Sequence, residues 1–258
     1  MTVKTSIIAT LGPASSTEEI FSKMLPYIDM VRLNFSWGAH EEMEKVINIV
    51  RKVSSEAGKK IFIIQDLSGP RIQTGEKHHF NKETQIVITN KDLEDIAFGI
   101  KHEVDFIALS FVGEANDIKQ LRKHLENSGS SIPVIAKIER REAVENIEEI
   151  IDVSDAIMIA RGDLGEAYPI EEIPFLEHKI ISLCNKKNRF VIVATEMLLS
   201  MVKNDRPTRA EVTDVAYAVT DGADAVMLSE ETASGDHPAA VVEVLDRIVK
   251  YAKKHSSL

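Results

Sequence analysis

Eight short runs of β-branched and other apolar residues, each followed by a longer amphipathic stretch, recur along this 258-residue chain. They are SIIATL at 6–11, DMVRLN at 29–34, KIFIIQD at 60–66, VDFIALS at 104–110, PVIAKI at 133–138, DAIMIA at 155–160, FVIVAT at 190–195 and DAVMLS at 224–229. Runs this short and this rich in Val and Ile read as strands, and apolar character without strict alternation marks strands buried on both faces. Between them lie segments with apolar residues three and four apart, such as TEEIFSKML, EEMEKVINIVRKV, EANDIKQLRKHL, LEHKIISLCNKK and AAVVEVLDRIVKYAKK, the spacing of helices packed on a sheet. Strand then helix, eight times in about 250 residues, is the pattern of an α/β fold, the TIM (β/α)8 barrel. An open doubly wound sheet shares the alternation, and alternation alone does not separate the two. The expected organisation is a single barrel domain over 1–258.

With 44% hydrophobic residues the chain can bury one large core. Lys+Arg 31 against Asp+Glu 41 leaves a net charge of −10, which argues against a nucleic-acid or anionic-membrane surface, so any anion site must be locally basic. The single Cys184 excludes an internal disulfide framework, the polar start MTVKTS has no apolar signal region, and no run reaches membrane-spanning length. A cytoplasmic location is expected.

In a barrel the strand ends carry the chemistry. Here the second run is followed by Arg32, Asn34 and Ser36, the third by Asp66 and the fourth by Ser110. The fifth supplies Lys137 and Glu139, the sixth Arg161 and Asp163, the seventh Thr195, and the eighth Ser229 and Glu231. Singly, each reads as a cap or loop former; seven strand ends out of eight converging on such groups read as a site. The ammonium of Lys137 with the carboxylates of Glu139 and Asp163 suits one divalent metal and one anionic oxygen substrate.

Several long stretches then carry a resemblance over nearly the whole chain: ATLGPAS at 9–15, VRLNFSWGAH at 31–40, QDLSGPRIQTG at 65–75, DFIALSF at 105–111, AKIERREAVENIEEI at 136–150, ARGDLG at 160–165, ATEMLLSM at 194–201 and RPTRAEVTDVAYAVTDGADAVMLSEETA at 206–233. Together they resemble the barrel domain of the pyruvate kinase family. The resemblance implies that Glu139 and Asp163 bind the catalytic Mg2+ (or Mn2+), two hard carboxylates being suited to such an ion. It implies that Lys137 stabilises both the transferring phosphoryl group and the enolate oxygen, and that Arg32 clamps the phosphoryl group with its planar fork of donors. Gly162 and Asp163 open a segment whose backbone N–H groups would hold the pyruvate carboxylate, helped by the Thr195 hydroxyl, with Gly165 allowing close approach; Ser229 and Glu231 complete the implied substrate residues. Asn34, Ser36, Asp66 and the main chain of Leu67 match the cage for a monovalent cation. Arg71, standing where an acidic residue accompanies K+ dependence and a lysine independence, implies that a fixed guanidinium replaces much of the ion's work, so K+ is expected to be weak or dispensable.

The departures matter as much. Gln73 replaces an arginine that faces nucleotide and phosphoryl group, and Glu196 replaces the glutamine of ATQM. Where the family inserts a separate β-barrel lid, this chain has a short segment, 76–89, expected to be a loop or hairpin; His78 and His79 in it read as parts of a surface turn in preference to a flap. No counterpart of the family's C-terminal domain is expected after YAKKHSSL. The implied activity is Mg2+-dependent phosphoryl transfer between phosphoenolpyruvate and ADP, giving pyruvate and ATP. The alternatives are an enolpyruvate enzyme without nucleotide chemistry (oxaloacetate decarboxylase, aldolase or proton exchange) and a non-catalytic phosphoenolpyruvate- or pyruvate-binding protein. Expected partners are these small molecules, no nucleic acid, no membrane, and further copies of the chain through the barrel helices.

Overall fold

The eight apolar runs are strands. The computed structural model describes residues 5–74, 77–80 and 86–255, those at 73, 74 and 77–79 by backbone alone. The strands are β1 Ser6–Leu11, β2 Met30–Asn34, β3 Phe62–Asp66, β4 Arg71–Thr74, β5 Lys77–Phe80, β6 Phe106–Leu109, β7 Val134–Ile138, β8 Ala156–Ala160, β9 Phe190–Ala194 and β10 Ala225–Leu228. Eight of them close a parallel barrel in the order β1-β10-β9-β8-β7-β6-β3-β2, while β4 and β5 form a separate two-stranded sheet. This is the (β/α)8 barrel, and closure excludes the open sheet. Every residue of β7 and β8 is buried, as strands with helices outside and packed side chains inside must be.

Two compact units divide the contacts. One comprises Met1–Leu33, Ala39–Ile63 and Val191–Leu258; the other Asn34–Gly38 and Ile64–Phe190. In the first, β1 pairs with β10 and β2 in parallel, setting Ala9 beside Leu228 and Thr10 beside Arg32. Its core includes Ile8, Phe21, Met24, Ile28 and Ile47, all fully buried. In the second, Asp66 pairs with Ala108, Leu109 with Ala136 and Lys137 with Met158, around fully buried Ile64, Ile107, Val134 and Ile157. Each such side chain contributes about 1.5–3 kcal/mol relative to exposure.

Helix ends follow local chemistry. Thr89 and Asp92 form a reciprocal capping box on helix Asn90–Lys101, and Thr208 and Glu211 form another on helix Arg209–Asp221. The latter helix stops at Gly222, whose φ of 104° lies in the left-handed region. No helix among the described residues is long and apolar enough to cross a membrane.

Candidate active site

Strand alternation puts Lys137 and Glu139, two residues apart at the end of β7, on one face. Both are almost wholly buried, as is Asp66 at the end of β3. The three donors of the Lys137 ammonium meet three oxygens: Ser110 Oγ at 2.7 Å, Glu139 Oε1 at 2.9 Å and Asp66 Oδ1 at 3.0 Å. Ser110, just past β6, accepts from Lys137 and donates its own proton to the Leu67 carbonyl at 2.6 Å. A desolvated ammonium is thus pinned by residues from three consecutive barrel strands. Such a charge, aimed from a dry site, is what an anionic transition state needs.

Burial pushes the Glu139 carboxyl above its ordinary range; Lys137 opposes that shift, the Asp163 carboxylate adds to it, and a hydrogen bond from the Phe111 N–H opposes it. Phe111 donates to Glu139 Oε2 from a left-handed backbone, φ 56°. Asp163, half-buried, lies in the first turn of helix Arg161–Ala167, which begins directly after β8 with no side-chain cap at Ala160. Gly162 shares that turn and Gly165 is exposed. Arg161 pairs with buried Glu177 at 3.2 Å. First-turn amides lack intrahelical acceptors and favour anions.

The four expected cation-cage residues belong to the same unit, with their groups already engaged in part. Asn34 Oδ1 accepts from the Ser36 amide at 3.1 Å, the Asp66 carbonyl accepts from the Phe35 amide at 2.9 Å, and the Asp66 carboxylate faces Lys137. The buried Ser36 hydroxyl has no hydrogen-bond partner among the described residues. Arg71 is tied to the same loop, Nε donating to the Ser68 carbonyl at 2.9 Å.

The other unit holds the remaining candidates. Half-buried Arg32 reaches Thr10 Oγ1 at 3.4 Å, and Thr10 donates to the Leu228 carbonyl at 2.8 Å. Thr195 and Glu196 stand consecutively at φ 71° and 55° after β9, a costly backbone for a β-branched residue and one that clusters at functional sites. Glu231 is fully buried, its oxygens accepting from the Leu198 amide at 3.1 Å and the Ser229 amide at 2.7 Å. It braces two strand-end loops. Ser229 Oγ is buried without a hydrogen-bond partner among the described residues.

In the shortened segment, β4 and β5 pair antiparallel, Arg71 opposite Phe80 and Gln73 opposite His78. The backbone there is a hairpin; Glu76 and residues 81–85 of the 76–89 segment lie outside the described residues, as do the side chains of Gln73, His78 and His79. The Phe80 ring lies 5.5 Å from that of Phe111, and the Arg140 guanidinium lies 4.1 Å over it. Sequence reasoning missed Ser110 as the partner of Lys137, the Phe111 amide on Glu139, and the buried Arg161–Glu177 pair. Period-two spacing points at Lys137 and Glu139, but no local signal announces a hydroxyl or amide brought from the neighbouring strand.

The sequence matches the family described as pyruvate kinase, barrel domain, over residues 2–88 and 84–242. It is 37% identical to a pyruvate kinase of Sporosarcina psychrophila over 329 residues, 95% of this chain and 56% of that protein. A Dictyostelium discoideum pyruvate kinase is 35% identical, covering 97% and 66%, and one from Staphylococcus aureus (strain MRSA252) 36%, covering 97% and 57%. The chain therefore spans 56–66% of the length of these relatives. An alignment of 329 positions against 258 residues leaves at least 71 positions opposite no residue of this chain.

Proposed function

We propose the following for this chain, which belongs to the pyruvate kinase family by its barrel domain: it transfers a phosphoryl group between phosphoenolpyruvate and ADP, with a divalent metal, giving pyruvate and ATP. The observation that carries this reading is the buried Lys137 ammonium held at 2.7–3.0 Å by Ser110, Glu139 and Asp66. Held in that way, it would give up one of these partners as metal and substrate bind, and so face the oxygen from which phosphate departs and on which enolate charge develops. Arg32 would hold the phosphoryl group, its planar donors matching two phosphate oxygens. The first turn of helix Arg161–Ala167, at Gly162 and Asp163, would receive the substrate carboxylate, and Thr195 is assigned to substrate by the family resemblance, its strained backbone being of the kind found at functional positions. Glu231 and Ser229 would act by fixing the strand-end loops.

The residues fit a Mg2+ or Mn2+ ion. Glu139 and Asp163 are hard oxygen donors whose mutual repulsion, with burial, already raises the Glu139 carboxyl, a situation a divalent cation relieves. Such an ion takes one or two carboxylates and leaves room for substrate and water. Bound there, the ion would neutralise charge on the transferring group and on the enolate oxygen. For K+, the unpartnered Ser36 hydroxyl fits a cage, whereas the engagement of Asp66 with Lys137 and the nearness of Arg71 oppose strong binding.

Purified chain with Mg2+, phosphoenolpyruvate and ADP should give pyruvate and ATP, and Lys137→Met should lower turnover by about a thousandfold, as loss of a transition-state charge does. Absence of ATP, with exchange of the pyruvate methyl protons retained, would replace this reading with enolate chemistry alone. Absence of both, with phosphoenolpyruvate still bound, would leave a binding protein.

A further inference from the structure

Among the described residues, the hairpin β4–β5 meets Phe111, beside Glu139, through the Phe80 ring of β5 and through Arg71 of β4, whose guanidinium lies 6.0 Å from the Phe111 ring centroid. Phe80 contacts Phe111 on one side, ring centroids 5.5 Å apart, and the Arg140 guanidinium on another, 4.1 Å from its ring. Two glycines clear the space for these partners. A Cβ on Gly69 would come within 2.9 Å of the Phe111 ring, and one on Gly113 within 1.8 Å of the Arg140 guanidinium. Phe111 is 2% exposed and holds φ 56°, a conformation that costs a non-glycine residue about 1 kcal/mol or more and persists only where its surroundings impose it. Its backbone amide is what that conformation delivers, and the amide donates to Glu139 Oε2.

We propose that Phe80 is a positioning residue for the divalent metal: it locks Phe111 so that the Phe111 amide fixes the Glu139 carboxylate in its ligating orientation. This rests on the reading of Glu139 as a metal ligand. The alternative, a ring that merely anchors the hairpin, makes a different prediction, because anchoring a peripheral hairpin has no reason to alter metal affinity. The connection runs through three observed contacts: Phe80 ring to Phe111 ring, Phe111 amide to Glu139, and Arg140 covering the face of Phe80. Groups hydrogen-bonded to a metal's ligands commonly contribute about 10–100-fold to its affinity by orienting the ligand; here that group is the Phe111 amide, and Phe80 acts through it, so the low end of that range is expected.

Mn2+ binding to the full chain, without substrate or nucleotide, tests this by electron paramagnetic resonance of the free ion. Phe80→Ala should raise the Mn2+ Kd about tenfold, and Phe80→Tyr, which keeps the ring, should leave it within about twofold of wild type. Glu139→Gln, the control, should raise it at least as much as Phe80→Ala. Phe80→Leu, which keeps apolar bulk but not the aromatic face, should weaken binding in the same direction and serves in place of Phe80→Ala if that variant does not fold. A Kd unchanged in the Phe80 variants while Glu139→Gln weakens binding would overturn the positioning role and leave the metal site standing. A Kd unchanged in Glu139→Gln would instead overturn the metal assignment itself.

Discussion

Ser110 has the most to lose at the scale of a single residue. Its hydroxyl is buried, accepts from Lys137 and donates to Leu67. Ser110→Ala removes both bonds and leaves an ammonium donor and a carbonyl with one fewer partner in a dry site, at a cost of about 1–3 kcal/mol. If the bond to Lys137 tightens in the transition state, the loss falls on kcat and leaves KM for phosphoenolpyruvate nearly unchanged; Ser110→Thr, keeping a hydroxyl, should recover much of it. A rise in KM alone would make Ser110 a packing residue. Arg71 sets a second expectation. Its guanidinium is tied to Ser68 on the loop that carries Asp66 and Leu67, so a fixed positive charge occupies the neighbourhood a monovalent cation would enter. Exchanging Na+ for K+ should change the steady-state rate by less than about twofold in wild type, and Arg71→Glu should make the rate depend on K+. Strong K+ activation of the wild type would refute the replacement.

Among the elements, the strands were legible because Val and Ile fill them on both faces: FVIVA at β9 and AIMIA at β8 leave no other economical reading. The hairpin was legible only in part. RIQT and KHHF are polar, short and lack that run of β-branched residues, so composition leaves 76–89 as either a loop or a hairpin, and it is the pairing of Arg71–Thr74 with Lys77–Phe80 that decides the backbone there. The site was half legible for a related reason. Spacing along β7 exposes Lys137 with Glu139, but Ser110 and the Phe111 amide arrive by register between strands, and left-handed backbone at Phe111, Thr195 and Glu196 has no glycine to signal it. Helix Arg209–Asp221 offers a prediction of its own. Burial pushes the Glu211 carboxyl up, yet hydrogen bonds from Ser200 Oγ and N and from the Thr208 N–H and hydroxyl outweigh it and hold the group below the ordinary range. Its stabilisation is therefore complete above the ordinary glutamate pKa of about 4.3 and is lost as pH falls through the lower folded value. Glu211→Gln should lower Tm at pH 7, and the gap to wild type should narrow progressively below about pH 4. A gap independent of pH would assign Glu211 to packing instead of charge.

For the whole molecule, the proposed transfer raises the question of how phosphate would reach ADP in preference to water. The relatives carry at least 71 aligned positions without a counterpart here, and the two family matches meet at 84–88, close behind the hairpin. We take the hairpin to stand where the relatives hold their additional segment. A cover over a phosphoryl-transfer site excludes water and holds the acceptor; a two-stranded sheet of four-residue strands offers little surface for a nucleotide. The proposed pyruvate half, on Lys137, Glu139 and Asp163, would not depend on that surface. KM for ADP should therefore lie above about 1 mM, the top of the usual range, while KM for phosphoenolpyruvate stays within it. Pyruvate should also form in excess of ATP, because water competes for the phosphoryl group, and the excess should shrink as ADP is raised. Lactate dehydrogenase-coupled pyruvate and hexokinase-coupled ATP, measured in parallel across an ADP titration, give the ratio directly. A ratio of one at every ADP concentration would mean that the hairpin and barrel loops exclude water unaided, and Phe80→Ala would then be the variant in which the leak should open.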